Sequence, residues 1–113
     1  MIYFQNLCTL LKNNPNYVTE FFQKRHYRRI AFHSATIIAR EIETLLEGSG
    51  IEIAYMVDDN YKGGLPTISM SATKYPQADV LLIADLMNTE AIRRRMAPYI
   101  PFPMISALEI LKA

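Results

Sequence analysis

The sequence lacks the marks of a secreted or membrane-bound chain. Its single cysteine, Cys8, cannot form an internal disulfide, which is typical of a reducing compartment. No apolar run approaches the roughly 18 residues of a membrane helix. Residues 1–11 have neither the basic start nor the small-residue cleavage site of a signal peptide. We therefore expect a cytoplasmic protein that has no membrane partner.

Charge of one sign is not in excess either. The chain carries 12 basic and 11 acidic residues, and its net charge of +1 gives no general attraction to nucleic acid. Two basic clusters, at residues 24–29 and 93–95, are typical of solvated faces. We expect no nucleic-acid partner.

Signatures of catalysis and metal binding are also missing. The sequence contains no P-loop, no serine elbow and no Cys/His catalytic pair. His33 has no cysteine, second histidine or carboxylate at helical metal-ligand spacing. We expect no metal site and no catalytic residues, so the balance is against a stand-alone enzyme.

Residues 28–60 do have a clear pattern, which is that of a strand, a helix and a second strand. Residues 29–33 have an apolar centre at 30–32 and are too few for a helix, whereas residues 36–47 carry apolar side chains at helical spacing. A glycine-containing stop then precedes a second apolar run over residues 51–57. Together these segments predict a right-handed βαβ unit.

The chain has the size of one domain. Half of its 113 residues are hydrophobic, which is enough to form one core. We expect a helical extension over residues 1–26, with helices at 2–11 and 15–24, and an α/β core over residues 28–113. The aromatic side chains of the extension are expected in the core or in a contact between subunits.

The second half continues the alternation of strands and helices. The predicted elements are a short edge strand at 66–70, a connection with about one helical turn at 71–77, a strand at 78–84, a helix from Asn88 or Thr89 to Pro98, a strand at 102–106 and a helical turn at 107–112. Only about eight residues precede the edge strand, so an antiparallel hairpin and an unusually short parallel crossover are both open.

This alternation predicts an α/β fold, namely a three-layer, open and mostly parallel sheet of about five strands in the order 3-2-1-4-5. Ligands of such sheets bind beyond the carboxyl ends of the strands, where the strand order reverses. Here the reversal falls between strands 1 and 4. The crevice would be lined by residues 33–36, 58–60 and 85–88.

Five segments carry a family resemblance: Arg29–Phe32, Ala54–Asn60, Leu65–Ser69, Ala78–Ile83 and Pro103–Leu111. In order and spacing they resemble the small Rossmann-like modules, related to CoA-binding and NAD-binding domains, that accompany enzymes of nucleotide-sugar and surface-polysaccharide biosynthesis. The resemblance covers roughly residues 27–111. It implies that the edge strand at 66–70 is parallel.

The resemblance fails at the glycine fingerprint of the first turn. Its three glycine positions correspond to Ser34, Thr36 and Ala39, of which only Ala39 is an accepted substitute. The second glycine normally lets the backbone approach a pyrophosphate at the helix N-terminus. Thr36 would place a β-branched side chain there, so the phosphate-binding turn is degenerate.

The acidic end of strand 2 keeps one family feature, because Asp58 or Asp59 stands where an acidic residue binds a ribose. Aspartate before asparagine is equally good turn chemistry. The candidate binding residues are His33, Ser34, Ala35, Thr36, Asp58, Asp59 and Asp85.

Two functions follow as hypotheses. The first is a non-catalytic interaction or accessory module in sugar or polysaccharide metabolism, acting as a homo-oligomer, most simply a homodimer, and without a cofactor. The alternative is a binding domain for a nucleotide such as NAD, a nucleotide sugar or another anionic small molecule in the crevice between strands 1 and 4.

Overall fold

A computed structural model describes Asn13 and residues 15–112. The helix predicted at 2–11 lies outside these residues. The elements, in chain order, are α1 (Pro15–Lys24), β1 (Arg29–His33), α2 (Ile37–Leu45), β2 (Glu52–Val57), β3 (Thr67–Ile68), β4 (Val80–Ile83), α3 (Thr89–Met96), β5 (Met104–Ser106) and α4 (Ala107–Lys112).

The five strands form one sheet in the order β3-β2-β1-β4-β5, and every neighbouring pair is parallel. This confirms the predicted α/β fold, which has the strand order of a Rossmann-like open sheet. β3 is parallel despite its short connection, with Thr67 opposite Met56. It achieves this by pairing over only two residues.

Side chains of successive strand residues point to opposite faces of the sheet, and each face has its own core. The first face packs Ile30 and Phe32 of β1 against α1, α2 and α4. The second packs Ala31 of β1 against α3 and the segment that follows it. His33 has the parity of Ala31, so it lies on the α3 face.

Helix α1 belongs to the first core. Its apolar stripe consists of Val18, Phe21 and Phe22, all of which are buried there. The hydroxyl of Tyr17 donates a 2.6 Å hydrogen bond to the carbonyl of Ile110 in α4. The aromatic stripe of this helix is therefore core, one of the two placements that its sequence allowed.

The helical turn predicted within residues 71–77 does not form. Asp59 reaches across from the end of β2 and accepts a 2.9 Å hydrogen bond from the amide of Met70. The hydroxyls of Ser69 and Ser71 are 2.9 Å apart, and the hydroxyl of Tyr75 donates to the carbonyl of Ser69. These contacts hold the segment as an irregular loop because they use backbone groups that a helical turn would need.

The outer edge of β5 is covered by side chains. Arg93 of α3 donates a 2.7 Å hydrogen bond to the carbonyl of Met104, and the carboxylate of Glu109 accepts one from the amide of Ser106. Arg93 and Glu109 also pair with each other at 3.4 Å. Since these contacts occupy the groups that a further strand would use, they oppose extension of the sheet at this edge.

Among the helices of the described residues, none is long and apolar enough to cross a membrane.

Candidate functional site

The carboxyl edge of the sheet is where a ligand of this fold would bind, and the turn after β1 is its centre. Ser34 occupies that turn with φ of +79°. This left-handed conformation suits glycine and costs other residues about 1–2 kcal/mol. The position that the fingerprint gives to its first glycine thus does adopt a glycine-like backbone, built here with serine.

The next residues hold the turn closed from within. The amide of Ala35 donates a 2.7 Å hydrogen bond to one carboxylate oxygen of Asp58, and the other oxygen accepts from the amide of Asn60 at 2.9 Å. In a phosphate-binding turn the amides after strand 1 face the phosphate. Here one of them already has an anion, supplied by the chain itself.

Thr36 is the N-cap of α2, and its hydroxyl serves two elements. It accepts from the amide of Ala39 at 3.3 Å and donates to the carbonyl of Ala84, at the end of β4, at 3.0 Å. The hydroxyl therefore satisfies a free amide of the helix and connects the start of α2 to the end of β4 across the switch point. This places the threonine side chain at the start of the helix, as the fingerprint comparison predicts.

Asp85 and Asp59, like Asp58, accept hydrogen bonds from backbone amides of the chain. Asp85 accepts from the amides of Met87 at 3.0 Å and Asn88 at 3.2 Å, and also from the side-chain amide of Asn88. Asn88 has the N-cap position of α3 but makes no side-chain capping bond, and Asp85 instead fixes the turn that leads into the helix. Asp59 binds the loop after β3, and its hydrogen bonds to the Met70 amide and to Ser69 lower the pKa of its carboxyl.

His33 is completely buried beneath this turn. Burial and the nearby charge of Arg95 lower its pKa to about 4, against the opposing effect of Asp58 and Asp85. The ring is therefore neutral at physiological pH. Its Nδ1 lies 2.9 Å from the hydroxyl of Ser34, while its buried Nε2 has no partner among the described residues.

The missing partner of Nε2 indicates the tautomer. An unpartnered buried N–H is rarer than an unpartnered buried acceptor. We therefore assign the proton of His33 to Nδ1, which donates to Ser34. The hydroxyl proton of Ser34 is then free to be donated elsewhere.

This arrangement does not support acyl-transfer chemistry. In the assigned tautomer His33 cannot take a proton from Ser34, and no carboxylate among the described residues orients its other nitrogen. The amide after the serine, which forms part of an oxyanion hole in serine elbows, donates to Asp58 instead. A strained serine beside a histidine is thus held as a structural pair.

Two clefts open at this edge. The first, here called the α2 cleft, has a volume of about 430 Å³ and lies between α2 and the loop after β2. Its walls include Thr36, Arg40 and Glu43 on one side and Tyr61 and Lys62 on the other. It combines two cations with one carboxylate and so carries a net positive charge.

The second, here called the crevice cleft, has a volume of about 320 Å³ and lies at the switch point between β1 and β4. Ser34 and Met70 line one side. One stripe of α3 and its N-cap lines the other: Asn88, Ala91, Ile92 and Arg95. Asp85 also borders it. This cleft lies where the strand order predicts the crevice, but of the predicted lining it contains only Ser34, Asp85 and Asn88, and residues 58–60 do not border it.

No protein-family profile, curated protein sequence or solved structure matches this chain. Among the described residues, no group of three or more histidine, cysteine or acidic side chains could hold a metal ion. The interpretation of the site therefore depends on its own geometry.

The seven predicted site residues do not act as one set. The structure pairs His33 with Ser34 and Ala35 with Asp58, and it directs Thr36 to the carbonyl of Ala84. Ser34 and Asp85 line the crevice cleft, whereas Asp59 binds the loop after β3.

Sequence reasoning missed the cations of both clefts. Arg95 was assigned to a solvated basic face, and neither Arg40 nor Lys62 was singled out. One signal was available for Arg95, since it follows Asn88 at i+7, and the helical i, i+3, i+4, i+7 pattern places it on the same stripe of α3. No comparable signal marks Lys62, which comes from an irregular loop.

Proposed function

We propose that the chain is a non-catalytic Rossmann-like module that acts through protein contact, with a first turn converted from phosphate binding to a structural role. The observation that carries this proposal is the hydrogen bond from the Ala35 amide to the Asp58 carboxylate. It supplies the turn with an internal anion in the place of a phosphate.

A comparison of two electrostatic free energies supports a structural role for the first turn. Two unit charges about 4 Å apart repel by about 4 kcal/mol at the effective dielectric constant near a protein surface. A helix N-terminus stabilises an anion by only about 0.3–1 kcal/mol, or about 2 kcal/mol in favourable sites. A phosphate placed beside Asp58 would lose more free energy than the start of α2 returns.

A thermal-shift screen with NAD, NADP, CoA and UDP-sugars tests the closed turn. A ligand present at 100 times its dissociation constant adds about 2.7 kcal/mol of stability. We expect no saturable shift with any of the dinucleotides. A shift with NAD or NADP that Asp58→Asn strengthens would overturn the proposal, because the turn would then be a working phosphate site held back by one charge.

The contact itself is proposed to be with a second copy of the chain, and the family resemblance proposes nucleotide-sugar or surface-polysaccharide biosynthesis as its setting. The covered edge of β5 makes pairing of that strand an unfavourable route for this contact. Light scattering over a hundredfold range of concentration tests self-association. A monomer at every concentration would exclude the homodimer.

The α2 cleft favours a second function, that of binding a small anionic molecule such as a nucleotide sugar. Its specific support is the pair of exposed cations, Arg40 and Lys62, which face one cleft of about 430 Å³. UDP-glucose is the probe, and we expect any stabilisation to disappear in the double variant Arg40→Gln/Lys62→Gln. Lys74→Gln, in an exposed position outside the cleft, is the matched control.

A further inference from the structure

The crevice cleft differs from the α2 cleft in its electrostatics. Asp85 borders it, and Asp58 lies close enough to raise the pKa of the neighbouring His33 together with Asp85. Arg95 also lines the cleft, so the lining contains one carboxylate and one guanidinium.

This balance disfavours a purely anionic ligand. A phosphate dianion would gain one guanidinium but would also be repelled by the carboxylate of Asp85. A purely cationic ligand would leave Arg95 without a counter-charge inside the cleft. A ligand that carries both charges meets neither difficulty.

The polar groups that remain free match the two ends of such a ligand. None of the described residues accepts a hydrogen bond from Arg95, and its planar donor fork suits a carboxylate. The hydroxyl proton of Ser34 is free in the assigned tautomer of His33, so it can be donated to the same carboxylate. This defines an anionic end at the Arg95 and Ser34 side.

The cationic end of the ligand would bind at Asp85 and Asn88. The side-chain NH₂ group of Asn88 donates a hydrogen bond to Asp85, and the side-chain carbonyl oxygen of Asn88 remains as an acceptor. Asp85 directs one oxygen to two backbone amides and receives only this single bond on the other. An ammonium group can therefore donate to both residues.

The rest of the cleft is apolar and of limited size. Ile92 and Met70 supply hydrophobic walls, and Ala91 leaves space where a larger helix residue would fill the cleft. A volume of about 320 Å³ is at the lower end for small-molecule sites. It suits a molecule of amino-acid size.

We infer that the crevice cleft binds a small zwitterion of the α-amino acid class, with its carboxylate on Arg95 and Ser34 and its ammonium on Asp85 and Asn88. This site uses the Ser34 hydroxyl of the first turn but not the Ala35 amide that Asp58 occupies, and it is separate from the α2 cleft. A nucleotide screen and an amino-acid screen can therefore succeed or fail separately.

The test is a thermal-shift and calorimetric screen of the twenty standard amino acids on the full chain. Each is compared with its N-acetyl derivative, which lacks the cation, and with its amide, which lacks the anion; inorganic phosphate is the anion-only probe. We expect one or more free amino acids to raise the melting temperature by about 4 °C or more at saturation. Both derivatives and phosphate should give no shift.

Two variants locate the site. Arg95→Gln should weaken the binding by about tenfold or more, since it removes the charge opposite the carboxylate. Arg94→Gln is its matched control, because Arg94 is the exposed neighbour on the same helix and does not line the cleft. Ala91→Leu fills the cleft with a good helix former and should abolish binding even if Arg95→Gln impairs folding.

Four results would overturn the inference. They are no shift with any amino acid, equal shifts with the N-acetyl or amide derivatives, a shift with phosphate alone, and equal losses in the Arg94 and Arg95 variants.

Discussion

At the scale of single residues, Ser34 and His33 form a strained but hydrogen-bonded pair. The left-handed backbone of Ser34 has a cost, yet the serine hydroxyl gives the buried imidazole of His33 its only hydrogen-bond partner among the described residues. A glycine would relax the backbone but leave the imidazole unpaired. The strained backbone at Ser34 is therefore accompanied by a hydrogen bond to the buried ring of His33.

Two substitutions of Ser34 separate the contribution of its hydrogen bond to His33 from the cost of its left-handed backbone. Ser34→Ala removes the hydroxyl and keeps the strained φ, so we expect a loss of about 1–3 kcal/mol from the unpaired His33. Ser34→Gly loses the same bond but relaxes the backbone, and it should remain about 1 kcal/mol more stable than the alanine variant. Urea unfolding measures both. An alanine variant as stable as the glycine variant would contradict the assigned strain.

The buried His33 should also make stability depend on pH. Its pKa is lowered to about 4 by burial and by Arg95, with Asp58 and Asp85 opposing, whereas the unfolded chain has an ordinary histidine pKa of about 6.5. Between these values the unfolded state binds the proton and the folded state does not. The contribution is therefore fully present above pH 6.5 and is lost as the pH falls towards 4, by an amount on the order of 3 kcal/mol.

Unfolding free energies measured from pH 7 to pH 4 check this dependence. His33→Gln should flatten the profile in that window. The chain has two histidines, and His26 is exposed, so His26→Gln is the matched control that should keep the slope of the unmodified protein. Equal profiles for the unmodified protein and His33→Gln would assign the slope to the carboxylates instead.

At the level of residues, the sequence predicted the positions that depend only on local spacing along the chain. The fingerprint comparison places Ser34 and Thr36 in the first turn, and both lie there. It could not show that the Asp58 carboxylate binds the amide of Ala35, because that contact depends on how two separate turns meet in space. The same reason hides Arg95, which lines one cleft with Ser34 and Asp85 of other segments only once the chain is folded.

At the scale of elements, Thr36 connects the start of α2 to the end of β4. Replacing it with valine keeps the shape but removes the cap of the Ala39 amide and the donor to the buried carbonyl of Ala84. We expect Thr36→Val to lose about 2 kcal/mol. Thr36→Ser should keep most of the stability, because it retains the hydroxyl.

Urea titration of both variants provides the measurement. The control is Thr44→Val, since Thr44 lies on the exposed side of the same helix and its hydroxyl only returns to the carbonyl of Arg40. We expect a change within about 0.5 kcal/mol there. A Thr36→Val variant no weaker than Thr44→Val would mean that the bridge to β4 contributes nothing.

The elements themselves follow largely from apolar periodicity. The continuous run at β4 is buried at every position, as expected of a central strand, and it pairs with β1 and β5. The direction of β3 could not be settled from chain length, because a two-residue strand needs little room for its crossover. The turn expected at 71–77 was wrong because tertiary hydrogen bonds from Asp59 and Tyr75 override local preference.

At the scale of the whole molecule, the two cores divide the sheet between different partners. One face is covered by three helices and the other chiefly by α3 with the segment after it. Helix α1 is one of the three, and it brings Val18, Phe21 and Phe22 into the first core. The sequence predicted this helix as part of an N-terminal extension. In the structure it packs against the sheet as part of the first core.

Deleting residues 1–26 should therefore unfold the protein or leave it without fixed packing. Burial of three such side chains contributes roughly 5–9 kcal/mol, which is comparable with the total stability of about 5–15 kcal/mol of a small domain. We expect loss of near-ultraviolet circular dichroism and gain of dye binding to exposed apolar surface. The same deletion cannot report on self-association, because a change in oligomeric state would follow from the uncovered core.

Point variants of α1 distinguish packing from any other role of the deleted segment. Phe22→Ala alone should lose about 3–5 kcal/mol, because Phe22 is completely buried. Glu20→Ala, on the exposed side of the same helix, should stay within about 0.5 kcal/mol. A shortened chain that melts as cooperatively as the full chain would contradict this role of α1. It would also require another element to cover the face of β1 that carries Ile30 and Phe32.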